Sequence, residues 1–127
     1  RQLVISADRS RIIQVFINLL DNAIKHSSAG NEILVQVLAH SSKQIKIDVI
    51  DSGSGFNTLD LPYIFERLYR GDKSRAREPQ ITSADGSGLG LAIVEQIIQA
   101  HGGRISAKNH PQIGGAWLEI LLPINQV

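Results

Sequence analysis

Glu32-Ile-Leu-Val-Gln-Val-Leu-Ala39 and Lys43-Gln-Ile-Lys-Ile-Asp-Val-Ile-Asp51, separated only by His40-Ser41-Ser42, decide the fold. Both runs are rich in β-branched residues, and so short a connection joins them as an antiparallel hairpin. In the second run Ile45, Ile47 and Val49 alternate with Lys46 and Asp48, the two-residue period of a strand with one buried face. A second pair of runs, 104–108 and 116–122, flanks the turn-forming His110-Pro111-Gln112-Ile113-Gly114-Gly115 and reads as another hairpin. Trp117, in its second strand, is expected in the core.

Outward from the hairpins the pattern changes to a helical period. Ser6 and Asp8 are candidate N-caps for a helix running to about His26. At 100° per residue Ile12, Ile13, Phe16, Leu19, Leu20, Ala23 and Ile24 are expected on one face. Arg11, Gln14, Asn18, Asn22, Lys25 and His26 are expected on the other. A second helix is expected over 89–100, with Leu91, Val94, Ile97 and Ile98 inward and Gly102-Gly103 stopping it. The run 2–5 leans towards a strand, and 59–69 towards a short helix with Pro62 in its first turn. Hairpins in succession, without βαβ alternation, predict an α+β fold: a two-layer sandwich with helices on one face of a mixed or mainly antiparallel sheet.

The chain has 127 residues, 43% hydrophobic and 20% charged, which suits one globular domain, 1–127. Thirteen Lys and Arg against 12 acids leave a net charge of +1, so no nucleic-acid partner and no direct membrane contact are expected. The absence of Cys excludes disulfides, thiolate metal sites and a cysteine nucleophile. Four His residues without paired ligand spacing give no zinc site. No apolar run approaches the roughly 20 residues of a membrane span. A chain beginning on Arg1 rather than Met is expected to be a fragment of a longer one.

Three constellations carry chemistry. Asn18, Asn22, Lys25 and His26 follow one another at helical spacing, offering amide oxygens for a hard cation, an ammonium for phosphate and a ring for stacking. A plain solvated face has the same composition. Asp51-Ser-Gly53-Ser-Gly55-Phe56 places a carboxylate at a strand end before two glycines, where an acceptor-only group favours the adenine amine over the guanine carbonyl. An ordinary Asp-Gly turn is the alternative. Asp85-Gly86-Ser87-Gly88-Leu89-Gly90-Leu91 runs alternating glycines into a helix, so main-chain N–H groups and the helix N-terminus can cradle phosphates. Neither the Rossmann context nor a Walker A Gly-Lys-Ser/Thr accompanies it. Between them, residues 71–87 lack periodicity and, at about 17 residues, exceed an ordinary connection, which reads as a lid. Arg67, Arg70, Lys73, Arg75 and Arg77 approach or lie in it, interleaved with acids.

In this order the motifs resemble the ATP-binding catalytic domain of sensor histidine kinases, within the superfamily that includes gyrase-type ATPases and heat-shock chaperones. Gln14-Val-Phe-Ile-Asn18-Leu-Leu-Asp-Asn22-Ala-Ile-Lys25-His26 resembles the family's N box. Asp51-Ser-Gly53-Ser-Gly55-Phe56 resembles its G1 box, Ile64-Phe65-Glu66-Arg67-Leu68-Tyr69-Arg70 its F box, and Gly86-Ser-Gly88-Leu-Gly90-Leu-Ala-Ile93 its G2 box. The resemblance implies a Bergerat-type fold binding ATP and Mg²⁺ between the N-box helix and the lid. It implies that Asn22 holds Mg²⁺, with Asn18 in the same pocket. Asp51, with Gly53 and Gly55, would receive the adenine, and His26 would lie against the ring. Gly86, Ser87, Gly88, Leu89 and Gly90 would wrap the phosphates. Lys25 and Arg70, with Asn18, would serve phosphoryl transfer.

The same resemblance implies a protein-histidine kinase domain of two-component signalling. Its partners would be a separate dimerisation and phosphoacceptor histidine domain and, downstream, a response regulator. Such a domain is cytoplasmic, with a parent protein that can be membrane-anchored. None of His26, His40, His101 and His110 precedes an acid, so the acceptor is expected outside this chain, which then cannot phosphorylate itself. The efficient ATPases of the superfamily carry a general-base Glu where this chain has Asn18, and an amide takes no proton from water, so hydrolysis is expected to be weak. Leu68 replaces the second Phe of the F box. A Ser/Thr kinase of the anti-sigma type and a non-catalytic nucleotide-sensing or docking module are the alternatives.

Overall fold

The computed structural model describes residues 4–66 and 90–124. Helix α1 spans Arg9–Lys25, strand β1 Leu34–Ala39 and β2 Gln44–Ile50. A single 3₁₀ turn covers Leu61–Tyr63, helix α2 spans Gly90–Ala100, and β3 and β4 cover Arg104–Asn109 and Ala116–Pro123. Each predicted hairpin forms, in the sheet order β1-β2-β4-β3. All pairs among the described strands are antiparallel, including β2 with β4, where Ile47 faces Ile120. The sheet is thus antiparallel rather than mixed over these residues. Val4 and Ile5, the described part of the run 2–5, form no strand, although Ile5 packs against the core.

The core lies between the helices and one sheet face: Val15, Leu19 and Ala23 of α1, Val94, Ile97 and Ile98 of α2, and Ile45, Ile47, Val49, Leu118, Ile120 and Leu122 of the strands. The expected α1 faces require correction. The buried arc centres on Val15, Leu19 and Ala23, while Ile13, Ile17 and Ile24 are exposed. Asn18 and Asn22 are half-buried beside that arc rather than opposite it. The apolar arc of α1 is wider than the contact it makes, so periodicity alone leaves its orientation open.

Asp8 caps α1 by accepting from the Arg11 N–H at 3.2 Å and the Ser10 hydroxyl at 3.1 Å. These bonds, the Arg11 N–H first, hold its carboxyl below the ordinary value. The Asp8 N–H in turn donates to His101 Nε2 at 3.0 Å, and His101 Nδ1 lies 2.8 Å from the Ile97 carbonyl oxygen. These contacts set the end of α2 against the start of α1. At the other end Asn18 Nδ2 donates to the Gly90 carbonyl at 3.2 Å, so the helices run antiparallel and the start of α2 faces the later turns of α1.

Trp117 is a second correction. It lies on the sheet face away from the helices, where Nε1 donates to Asp48 Oδ1 at 2.8 Å and Lys108 Nζ sits 4.3 Å from the ring centroid. Asp48 is fully buried there and accepts from Gln36 Nε2 at 2.9 Å, with Lys46 Nζ 3.4 Å away. Burial raises the Asp48 carboxyl, but the Trp117 and Gln36 hydrogen bonds and the Lys46 charge outweigh it and hold the group below its ordinary value. A depressed folded-state value adds stability above the unfolded-state value that is lost as pH falls through the folded one. Trp117→Phe leaves Asp48 Oδ1 without this donor and is expected to cost about 1–3 kcal/mol at pH 7. Denaturant titrations should show the gap from wild type narrowing as pH falls below the ordinary carboxylate range and through the depressed Asp48 value. A gap independent of pH would refute this account.

Candidate nucleotide site

The site forms where the C-terminal turn of α1 meets the loop after β2. Gly53 brings the two together, since a Cβ on it would run into the His26 carbonyl oxygen. That oxygen follows the last turn of α1, where the His26 N–H donates to the Asn22 carbonyl at 3.2 Å and His26 Nδ1 lies 2.8 Å from the same oxygen. Asn22, His26, Asp51 and Gly53, far apart in sequence, therefore converge.

Asp51 is 2% exposed. Its Oδ1 accepts from the Gly53 N–H at 2.9 Å and the Ala116 N–H at 3.0 Å, whereas Oδ2 has no hydrogen-bond partner among the described residues. Two main-chain donors on one oxygen fix the carboxylate and leave the other oxygen to accept. The Asp51 N–H also donates to the Ala116 carbonyl at 3.0 Å, extending the β2–β4 pairing by one residue.

The side-chain nitrogen of Asn22 is buried without a partner among the described residues, as is the Ser27 hydroxyl. Each such orphan costs about 1–3 kcal/mol unless a ligand satisfies it. Asn18 accepts from Gln14 Nε2 at 2.7 Å and donates to Gly90. Lys25 is paired with Asp21 at 2.7 Å on the surface of the helix, so it must exchange that contact to reach a phosphate. Gly90 opens α2 with nothing among the described residues within 4 Å of where its Cβ would stand. Arg67, Arg70, Gly86, Ser87, Gly88, Leu89 and the lid at 71–87 lie outside the described residues. Among the described residues no three His, Cys, Asp or Glu cluster as a metal cage, and no helix is long and apolar enough to cross a membrane.

The sequence reading missed Ala116 and Gly115, which fix Asp51 from the far end of the chain. Their one signal was the doubled glycine before β4, read as a turn. Gly115 is buried, and a Cβ on it would meet the Asp51 carbonyl oxygen and lie 2.7 Å from Asp51 Oδ1.

The candidate site thus comprises a strand-end carboxylate fixed by main-chain amides, a helix amide nitrogen buried without a partner among the described residues, and a glycine at the start of α2 that accepts from Asn18. Comparison with known proteins makes the class specific: a family profile described as histidine kinase-, DNA gyrase B- and HSP90-like ATPase matches residues 7–126, and the chain belongs to that family. The sensor protein SphS of Synechococcus elongatus is 50% identical over 120 residues, covering 94% of this chain and 29% of that protein. The signal transduction histidine-protein kinase BaeS of Escherichia coli is 35% identical over 124 residues, covering 98% of this chain and 25% of that protein. The chain thus spans under a third of the length of these two relatives. Among solved structures, the mycobacterial sensor histidine kinase MprB aligns over 97% of this chain and 78% of its own, with a TM-score of 0.81 and 29% identity. Full-length ShkA in complex with AMPPNP aligns over 99% of this chain and 24% of its own, with a TM-score of 0.75 and 27% identity. The chain is a histidine-kinase-type ATP-binding domain with the α+β sandwich that its motifs predict.

Proposed function

We propose that the chain binds ATP with Mg²⁺ and presents the γ-phosphoryl group to a histidine on a separate dimerisation and phosphoacceptor domain of a longer sensor kinase, which then serves a response regulator. The observation that carries this reading is Asp51, buried and held through one oxygen by the Gly53 and Ala116 amides. Its other oxygen accepts the exocyclic amine of adenine, and His26 at the end of α1 lies against the ring. The similarity to the sensor protein SphS and to full-length ShkA, solved in complex with AMPPNP, supports the same reading.

The donor set suits Mg²⁺, which binds few protein ligands and takes others from phosphates and water. Asn22 would hold it through its amide oxygen. The buried amide nitrogen, a donor without a partner among the described residues, would be left for an acceptor such as a phosphate oxygen. When bound, the cation would neutralise developing phosphate charge. Asn18 ties α1 to the start of α2, whose positive end favours phosphate, and Gly86, Ser87, Gly88, Leu89 and Gly90 would wrap the phosphates as the motif implies. Lys25 and Arg70 would add positive charge along the phosphates, as the motif implies. Transfer needs positioning and charge neutralisation more than covalent help, and these residues provide both. With Asn18 where a general base would stand, that position takes no proton from water, so the phosphoryl group is kept for a side-chain acceptor.

Calorimetric titration with a non-hydrolysable ATP analogue tests the reading, with and without Mg²⁺ and beside GTP. We expect adenine-selective binding strengthened by Mg²⁺, and an Asn22→Ala affinity about 10- to 100-fold lower, or about 1.4–2.8 kcal/mol. Binding indifferent to Mg²⁺ and to Asn22 would remove the proposed cation site. Phosphorylation of an added acceptor-histidine domain by wild-type protein is the complementary assay, and none should occur in its absence.

A further inference from the structure

We infer that Asn109 is a positioning residue for the adenine-reading loop, an inference that rests on the nucleotide reading above. Asn109 ends β3, 53 residues from Phe56, yet its side-chain amide grips the Phe56 main chain at both polar atoms. The Phe56 N–H donates to Oδ1 at 2.7 Å, and Nδ2 donates to the Phe56 carbonyl at 3.0 Å. Phe56 lies outside the strands, so this amide supplies what a neighbouring strand would.

The opposite end of the loop is tied to the same place. Asp51 exchanges two hydrogen bonds with Ala116, its N–H to the Ala116 carbonyl and its Oδ1 from the Ala116 N–H, both 3.0 Å. Ala116 and Asn109 are direct cross-strand partners in the β3–β4 ladder. Both ends of the glycine loop 52–55 are therefore fastened to one residue pair at the mouth of the second hairpin. The fit between them is close. Gly55 has φ +83°, and a Cβ there would lie 2.6 Å from Asn109 Oδ1 and 2.6 Å from the Gly114 carbonyl oxygen. The loop carries Gly53, whose N–H orients the Asp51 carboxylate. Asn109 thus acts on adenine through the loop and touches no ligand itself.

The side chain must both accept and donate at adjacent atoms, which an amide does and a carboxylate does not. Asn109→Asp keeps the shape and the acceptor but sets a second oxygen against the Phe56 carbonyl. Affinities for an ATP analogue and a GTP analogue are measured on wild-type protein and on Asn109→Asp, alongside unfolding temperatures without nucleotide. The clamp predicts about tenfold weaker ATP-analogue binding and a reduced preference for adenine over guanine. Unchanged affinity and preference would overturn it, as would proportional weakening of both nucleotides. Should wild-type protein show no adenine preference, the nucleotide reading itself falls, and the clamp with it. Hydrogen exchange on wild-type protein provides a check that needs no variant. The Phe56 amide should be protected to the level of β2 amides, and an unprotected Phe56 amide would overturn the clamp whatever the variant does.

Discussion

Asp51→Asn is expected to weaken binding of an ATP analogue by about a hundredfold while moving the unfolding temperature by only a few degrees. The asymmetry follows from the two carboxylate oxygens. Oδ1 accepts from the Gly53 and Ala116 amides, and an Asn side chain can keep both bonds with its own oxygen. Its nitrogen then stands where Oδ2 stood and points a donor at the donor of adenine. Turning the amide over only moves the conflict, because the nitrogen then faces two main-chain N–H groups. Either arrangement loses a charge-assisted hydrogen bond and leaves donors opposed, about 2–3 kcal/mol in all. Binding of the GTP analogue should fall less, so the ratio of the two affinities is the decisive reading. An affinity for the ATP analogue within threefold of wild type would place adenine elsewhere.

Gly115→Ala should be the more damaging change to the protein as a whole. The added methyl has no room: it runs into the Asp51 carbonyl oxygen and approaches Oδ1 to 2.7 Å, and both are main-chain-anchored at a buried position. To admit it, β4 must part from the end of β2, breaking the pair of hydrogen bonds between Asp51 and Ala116. We expect a stability loss of about 3 kcal/mol, in the upper range for overpacking, and no measurable nucleotide binding in the folded fraction. Gly114→Ala is the matched control for space, since nothing among the described residues lies within 4 Å of a Cβ there, though its φ of +86° carries a strain cost of its own. Equal loss of binding in both variants would show that the turn conformation, rather than contact with Asp51, is what the site needs.

Much of the architecture was legible from residue patterns. The β-branched runs around His40-Ser41-Ser42 became β1 and β2, and Asp8 became the cap of α1, because hairpins and caps depend on neighbours a few positions apart. Asp51, Gly53, Asn22 and His26 were legible as chemistry, since their residue types and spacing recur with the motif. Their convergence through the contact of Gly53 with the His26 carbonyl was not. Ile13 and Ile24 were placed on the buried face and proved exposed, because the sheet covers only part of the apolar arc of α1. Trp117 was expected in the core, but it occupies the strand register that points away from the helices, where Asp48 accepts from its indole N–H.

The division between the two kinds of information follows sequence separation. Local pattern determined both hairpins, helices α1 and α2, their order, the α+β class and the residue types of a candidate nucleotide site, since each depends on backbone preference and side-chain periodicity within a few residues. The strand expected over 2–5, by contrast, is absent at Val4 and Ile5, and the helix expected over 59–69 appears, among the described residues, as the 3₁₀ turn Leu61–Tyr63. Only the tertiary structure decided which oxygen of Asp51 is held, because its anchor at Ala116 lies 65 residues away. It alone decided that Asn109 grips Phe56 and that Gly115 has no room for a methyl. Such contacts arise when β4 joins β2 and β3 in one sheet, and a strand's own sequence does not record which atoms its neighbours will bring to it.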